Sequence, residues 1–355
     1  MRSLLALVLV VCVAAAAGAY VVYDRAHTPF RGYEGSERLI EIPSGLGTNA
    51  IGGRLIEAGV VRDRLTFRTA LWLSGDARRL QAGEYRFDRP MTPLEVLDKI
   101  ARGDVDRVKI TFPEGLTIAE MAAIFESGGF GTAASFVAAA NDASPIASVD
   151  GTAKNLEGYL FPDTYSVPRH IKASDMVRAM VDQFRAIAPK DVQGAARDAG
   201  WTLREMVTVA SLVEKETAKA EERPLVAAVY ANRLRIGMPL QCDPTVIYAL
   251  QLAGKYDGNI RKTDLSIDSP YNTYRVAGLP PGPIAAPGKG ALEAAAHPAD
   301  VNYLYFVSRN DGSHEFAATL AEHNRNVQKY QVQYFRDLRA NRAGGAGRPG
   351  GPGTR

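Results

Sequence analysis

The segment Ile40-Glu41-Ile42-Pro43-Ser44-Gly45-Leu46 returns 70 residues later as Ile110-Thr111-Phe112-Pro113-Glu114-Gly115-Leu116. The correspondence continues through Ile51/Met121, Leu55/Phe125, Gly59/Gly129 and Val60/Phe130. Each copy opens as a short alternating strand, turns at Pro-x-Gly, and runs on with apolar residues at helical spacing until a glycine stops it. After the first copy, 65–73 has the pattern of a second short helix and 83–87 that of a returning strand, which makes a βααβ unit. The second copy closes in a similar way at 158–167, and each unit is followed by a helical stretch, 93–100 and 175–184. The expected fold class is therefore α+β, with related units at 36–106 and 107–185.

Residues 4–23 carry no charge, which at ~1.5 Å per residue is enough for a helix to cross a ~30 Å hydrocarbon layer. The run is longer than the ~7 to 15 apolar residues of a cleaved leader and ends in Val21, Val22 and Tyr23 rather than at the small residues 15–19. A single anchor, with its short tip, is expected over 1–24. Arg2 and the amino terminus on one side face Arg25 and Arg31 on the other, so charge leaves the orientation open.

Beyond 186 the patterns become mainly helical, up to about 342. Thr202-Leu203-Arg204-Glu205 is a capping box that starts a helix. Further helices are expected from Pro224 to Gly237 and from the Asp243-Pro244 start to about Leu252. A proline-rich loop then contains Ser269-Pro270-Tyr271-Asn272-Thr273-Tyr274 and Gly278-Leu279-Pro280-Pro281-Gly282-Pro283. Residues 303–307 and 314–316 flank the turn Asn310-Asp311-Gly312 as a hairpin, and a second capping box, Thr319 to Glu322, opens a long last helix. The glycine-rich tail, 343–355, is expected to be disordered.

Several function classes are excluded or disfavoured at this level. With 42 Lys plus Arg against 39 Asp plus Glu, the charges are mixed and nearly balanced, which gives no reason to expect a nucleic-acid partner. Cys12 and Cys242 form neither a disulfide framework nor a CxxC site. His297, His314 and His323 lack close-paired zinc spacing, no Walker A or Rossmann glycine pattern opens a helix, and Ser211 lacks a Gly-x-Ser-x-Gly setting. No metal and no cofactor is expected.

The residue with the clearest chemical potential is Glu214. It follows Leu203, Val207 and Ala210 at i+11, i+7 and i+4, which sets its carboxylate on the apolar stripe of that helix, whereas Lys215 and Glu216 turn away. A carboxyl held against apolar groups loses hydration of its charged form, so its pKa rises and it can serve as a general acid. The alternative is a helix-end glutamate paired with Lys215, Lys219 or Arg223. Gln241, Asn272 and Tyr274 could hold sugar hydroxyl and acetamido groups, or could equally cap a helix or satisfy loop carbonyls. Glu216 is the rival acid, expected in a solvated or supporting place.

The strings Val209-Ala210-Ser211-Leu212-Val213-Glu214-Lys215-Glu216-Thr217, Asn232-Arg233-Leu234, Leu240-Gln241-Cys242-Asp243-Pro244-Thr245-Val246, Tyr271-Asn272-Thr273-Tyr274 and Gly278 to Ile284 resemble the signature blocks of the YceG-like endolytic murein transglycosylases. Leu156 to Tyr165 fits as well. Cys242 departs from the pattern, where the family often has a small polar residue. The resemblance implies a bacterial inner-membrane protein, anchored once, with a LysM-like part and a catalytic domain on the external side. It implies that Glu214 is the catalytic glutamate, that peptidoglycan strands are cut internally at the bond from N-acetylmuramic acid to N-acetylglucosamine, and that peptidoglycan synthases are neighbours. A non-catalytic, membrane-anchored glycan-binding or cell-wall assembly protein is the competing expectation.

Overall fold

A computed structural model describes residues 2–188 and 190–345. The expected disordered tail lies outside these residues from 346 onward. The chain divides into two compact units, residues 1–110 with 165–171, and residues 111–164 with 172–355.

The first unit begins with α1 (Arg2–His27), whose stretch Ala6–His27 is long and apolar enough to cross a membrane. It continues with β1 (Arg38–Ile42), α2 (Thr48–Glu57), α3 (Arg64–Ser74), β2 (Gly83–Phe87) and α4 (Pro93–Ala101). The expected βααβ order is present. β1 and β2 pair antiparallel, with Arg38 opposite Phe87 and Ile42 opposite Gly83. Alternation sends Ile40, Ile42, Tyr85 and Phe87 to one face, where Leu55, Phe67, Val96, Leu97 and Ile100 from the helices cover them. Asp63 caps α3 by accepting from the Thr66 amide at 2.8 Å, and Thr92 and Glu95 form a reciprocal capping box on α4.

β3 (Arg107–Thr111) opens the second copy of the repeat, followed by α5 (Ile118–Ser127), α6 (Ala133–Ala140) and β4 (Thr164–Pro168), which pairs with β3. The two copies agree in local geometry as well as in sequence. Gly45 and Gly115 both have positive φ, +80° and +76°, and Gly59 and Gly129 both end a helix at +72° and +74°. Ile51, Leu55, Met121 and Phe125 are all buried.

Beyond α5 and α6, the second unit holds α7 (Ala173–Ile187), α8 (Lys190–Asp198), α9 (Leu203–Glu216), α10 (Arg223–Arg235), α11 (Asp243–Leu252) and α12 (Lys289–Ala296). The hairpin forms as β5 (Tyr305–Ser308) against β6 (His314–Ala317), with Ser308 opposite His314. α13 (Leu320–Val327) starts at the Thr319 capping box, as expected, but the last helix is not continuous. A π-helical turn over Gln328–Gln333 separates α13 from α14 (Tyr334–Gly345). α9 is the central element of this unit: Met206 to Val213 are all buried, so the helix is enclosed on all sides rather than along one stripe.

Candidate active site

The site forms where the last turn of α9 meets two loop segments. Thr202 and Glu205 fix the start of the helix, the Thr202 hydroxyl accepting from the Glu205 amide at 3.2 Å and Glu205 from the Thr202 amide at 2.7 Å. Three turns later the Glu214 side chain is 7% exposed. The loop that follows the proline-rich block passes alongside. The Ile284 amide donates to Ser211 Oγ at 3.1 Å, and Ala286 exchanges backbone bonds with Gly115 and Leu116 at 2.9 and 2.8 Å. These bonds clamp the Pro113-Glu114-Gly115 turn of the repeat and residues 284–288 against α9.

Gly288, delivered by this clamp, donates its amide to Glu214 Oε2 at 2.9 Å. Arg223, the first residue of α10, brings Nη2 to 3.7 Å from Glu214 Oε1 and 3.6 Å from Glu114 Oε2. Lys215 turns aside and donates to the Gly115 carbonyl at 3.0 Å. Burial pushes the Glu214 carboxyl above the usual carboxylate range. The Gly288 amide opposes the shift, the Glu114 charge adds to it, and Arg223 and Lys215 oppose it. The result is a shielded carboxyl with a raised pKa and one oxygen fixed by a backbone donor. Glu114 and Gly288 were not singled out from sequence. The Pro-x-Gly repeat marked the turn that carries Glu114, but no sequence pattern shows that residues 100 apart share one arginine.

Glu216 gathers a separate cluster. Its Oε1 accepts from the Tyr230 hydroxyl at 2.8 Å and from Cys242 Sγ at 3.2 Å, and burial pushes its pKa up. The expectation of a solvated Glu216 is therefore corrected, because two residues along a helix is about half a turn and this face packs against α10 and the segment before α11. Beside it, Tyr274 donates to Asp243 Oδ1 at 2.5 Å. Gln241 is exposed and has φ +49°, a conformation that non-glycine residues rarely hold. Asn272 is fully buried; its amide nitrogen donates to the Leu265 and Ile267 carbonyls at 3.0 and 2.9 Å, and its oxygen accepts from the Tyr274 amide at 3.0 Å. The direct sugar contact expected of Asn272 thus gives way to a loop-shaping part, since both of its N–H groups serve loop carbonyls. The structure brings Gln241, Cys242, Asp243 and Tyr274 to the Glu216 side of α9, while Glu214 meets Glu114, Arg223 and Gly288.

Glycines set two of these approaches. Gly158 has φ +83°, and a Cβ there would lie 2.4 Å from Pro283, so the 156–165 block and the proline-rich loop touch only because it is glycine. A Cβ on Gly288 would lie 1.8 Å from Glu114 Oε1.

Residues 40–329 match the model of the YceG-like family. The chain is 34% identical over 307 residues to the endolytic murein transglycosylase of Bacillus subtilis (strain 168), covering 82% of this chain and 84% of that protein. It is 32% identical over 326 residues to the endolytic murein transglycosylase of Streptococcus pneumoniae (D39), where it spans 82% of its own length and 58% of the relative. Its fold is similar to the crystal structure of a yceG-like protein from Listeria monocytogenes, with a TM-score of 0.55 at 30% identity over 82% of this chain and 98% of that one. This chain belongs to the YceG-like family.

Proposed function

We propose that the protein is a membrane-anchored lytic transglycosylase that cuts peptidoglycan glycan strands internally. Glu214 would donate its proton to the oxygen linking N-acetylmuramic acid to N-acetylglucosamine. As positive charge develops at the muramic acid C1, the C6 hydroxyl of the same sugar attacks and returns its proton to Glu214. The products are a free N-acetylglucosamine end and a 1,6-anhydro-N-acetylmuramic acid end, with no water consumed and Glu214 restored. One carboxyl acts first as acid and then as base, so a paired nucleophile is not required. The observation that carries the reading is the buried Glu214 carboxyl, held by Gly288 at 2.9 Å with its pKa raised by burial, in a chain whose relatives bear the name endolytic murein transglycosylase. Gly288 holds Oε2, and Oε1, 3.7 Å from Arg223, is the oxygen proposed to carry the proton. Gln241 and Tyr274 lie on the Glu216 side of α9, away from Glu214, and are proposed to hold sugar groups of the strand away from the cut bond, with Asn272 maintaining their loop and Glu216 anchoring that side of the helix.

In this reading α1 crosses the cytoplasmic membrane once and the body acts outside. Cutting nascent strands limits their elongation, which sets the protein beside the synthases that extend them. The βααβ unit is proposed as a LysM-like glycan grip. Mass spectrometry of purified strands after incubation with the full chain tests the reaction. Internal fragments with 1,6-anhydro ends are expected; reducing ends, heavier by one water, would make the protein a hydrolase. Strands that are bound but left intact would favour the glycan-binding alternative.

A further inference from the structure

We propose that the outer face of α3 lies in the headgroup layer of an anionic phospholipid membrane, beside the point where α1 leaves it. The inference rests on reading α1 as a membrane span. α3 buries Thr66, Phe67 and Ala70 against its own unit. Its opposite face is also apolar: Leu65 is 58% exposed, Leu73 43% and Trp72 79%. Leu65, Arg68 and Trp72 follow one another at i, i+3 and i+7, so they form one stripe. Single exposed apolar residues are ordinary on soluble proteins. A tryptophan, two exposed leucines and two arginines, Arg64 and Arg68, on an 11-residue helix without any acid is the composition of an interfacial helix.

Position supplies the second argument. The end of α1 is built into this unit: Ala26 is fully buried, and Arg25 Nη1 lies 3.5 Å from Asp63, the residue that caps α3. α3 therefore starts at the exit of the span, and at ~1.5 Å per residue Trp72 lies within about 15 Å of that point. The charge near it is one-sided. Residues 62–79 contain Arg62, Arg64, Arg68, Arg78 and Arg79 against Asp63 and Asp76. Asp63 is committed to the cap and to Arg25, and Asp76 pairs with Arg79 at 2.9 Å. The uncompensated charge is positive and complements lipid phosphate. A face docked in this way holds the βααβ unit on the membrane surface instead of leaving it on a swivelling tether.

The protein has two tryptophans, Trp72 and Trp201, so Trp201→Phe leaves Trp72 as the reporter. The full-length Trp201→Phe chain is reconstituted into phosphatidylcholine vesicles with or without phosphatidylglycerol, using lipids brominated near the glycerol or near the chain end. The expected result is blue-shifted Trp72 emission, lost mostly to the shallow bromines, with less quenching when phosphatidylglycerol is omitted or when Arg64 and Arg68 are both changed to Glu. Red-shifted emission that is quenched by aqueous iodide and insensitive to bromine, in protein that still floats with the vesicles, overturns the α3 proposal alone. Protein that fails to float after an alkaline wash overturns the span reading and the proposal together. A blue shift that needs high protein density and ignores bromine overturns it in favour of a contact between copies.

Discussion

Gly288 donates its amide to Glu214 Oε2 at 2.9 Å, and the space its missing side chain leaves is filled by the Glu114 carboxylate. Glycine is thus favoured here by a neighbour and not by its backbone, since its φ of −76° is open to any residue. Gly288→Ala must displace Glu114, whose side chain is 47% exposed and held by Arg223 only at 3.6 Å. Stability should change by less than about 1 kcal/mol, as expected for a shift of a surface group, while turnover falls. Adding Glu114→Ala should recover part of that turnover; thermal melts and kcat for the single and double variants check this.

Glu114 and Arg223 should move the activity profile in opposite directions. The Glu114 charge raises the Glu214 pKa and Arg223 lowers it. If protonated Glu214 is the active form, its pKa sets the alkaline limb of kcat/KM. Glu114→Gln then shifts that limb to lower pH, and Arg223→Met shifts it to higher pH. Two shifts of the same sign would show that the limb belongs to another group.

Another buried carboxyl, Glu157, predicts a pH dependence of stability. Glu157 accepts from the Ile118 amide at 3.1 Å and from the Tyr248 hydroxyl at 3.1 Å, and burial raises its pKa to about 7. The folded state holds this proton where the unfolded chain releases it, so the contribution is fully present below the unfolded value of about 4.5 and is lost as pH rises through about 7. Urea titrations between these limits should show stability falling with pH, and Glu157→Gln should flatten the slope.

Asn272 and Gln241 should separate stability from binding. Asn272→Ala removes both donors to the Leu265 and Ile267 carbonyls and should cost about 2 kcal/mol. Gln241→Gly relieves the left-handed backbone at φ +49° but adds chain entropy, so its net effect on stability should stay within about 1 kcal/mol. If Gln241 is held in that conformation for a sugar, the same variant should raise KM. Denaturation curves beside strand-binding isotherms distinguish the two.

Local patterns made much of the fold legible. The capping boxes at Thr202 and Thr319 form, and α11 opens at Asp243-Pro244, although Cys242 and not the expected Asp243 stands at the N-cap. Both Pro-x-Gly turns adopt the positive φ that their glycines allow. These features are encoded within a few residues. The burial of Glu214 could be read from helical spacing, but its partners could not. Glu114 and Gly288 arrive from distant parts of the chain, brought together by backbone bonds of Gly115, Leu116 and Ala286 that leave no mark in composition. Of the two places expected for Glu216, the solvated one fails for a related reason. The face of a helix opposite its apolar stripe ordinarily meets water, whereas α9 is enclosed and that face meets Tyr230 and Cys242. The break in the last helix at Gln328–Gln333 contains neither proline nor glycine, so nothing in the sequence announces it.

The most direct test of the account is to compare the full chain with its Glu214→Gln variant on purified glycan strands, recording strand binding and mass-spectrometric products in the same samples. Gln keeps the shape and the acceptor for the Gly288 amide but can neither give nor take the proton. The account predicts unchanged folding, retained strand binding and loss of the 1,6-anhydro fragments. A folded Glu214→Gln protein that still releases them at the parent rate would contradict it.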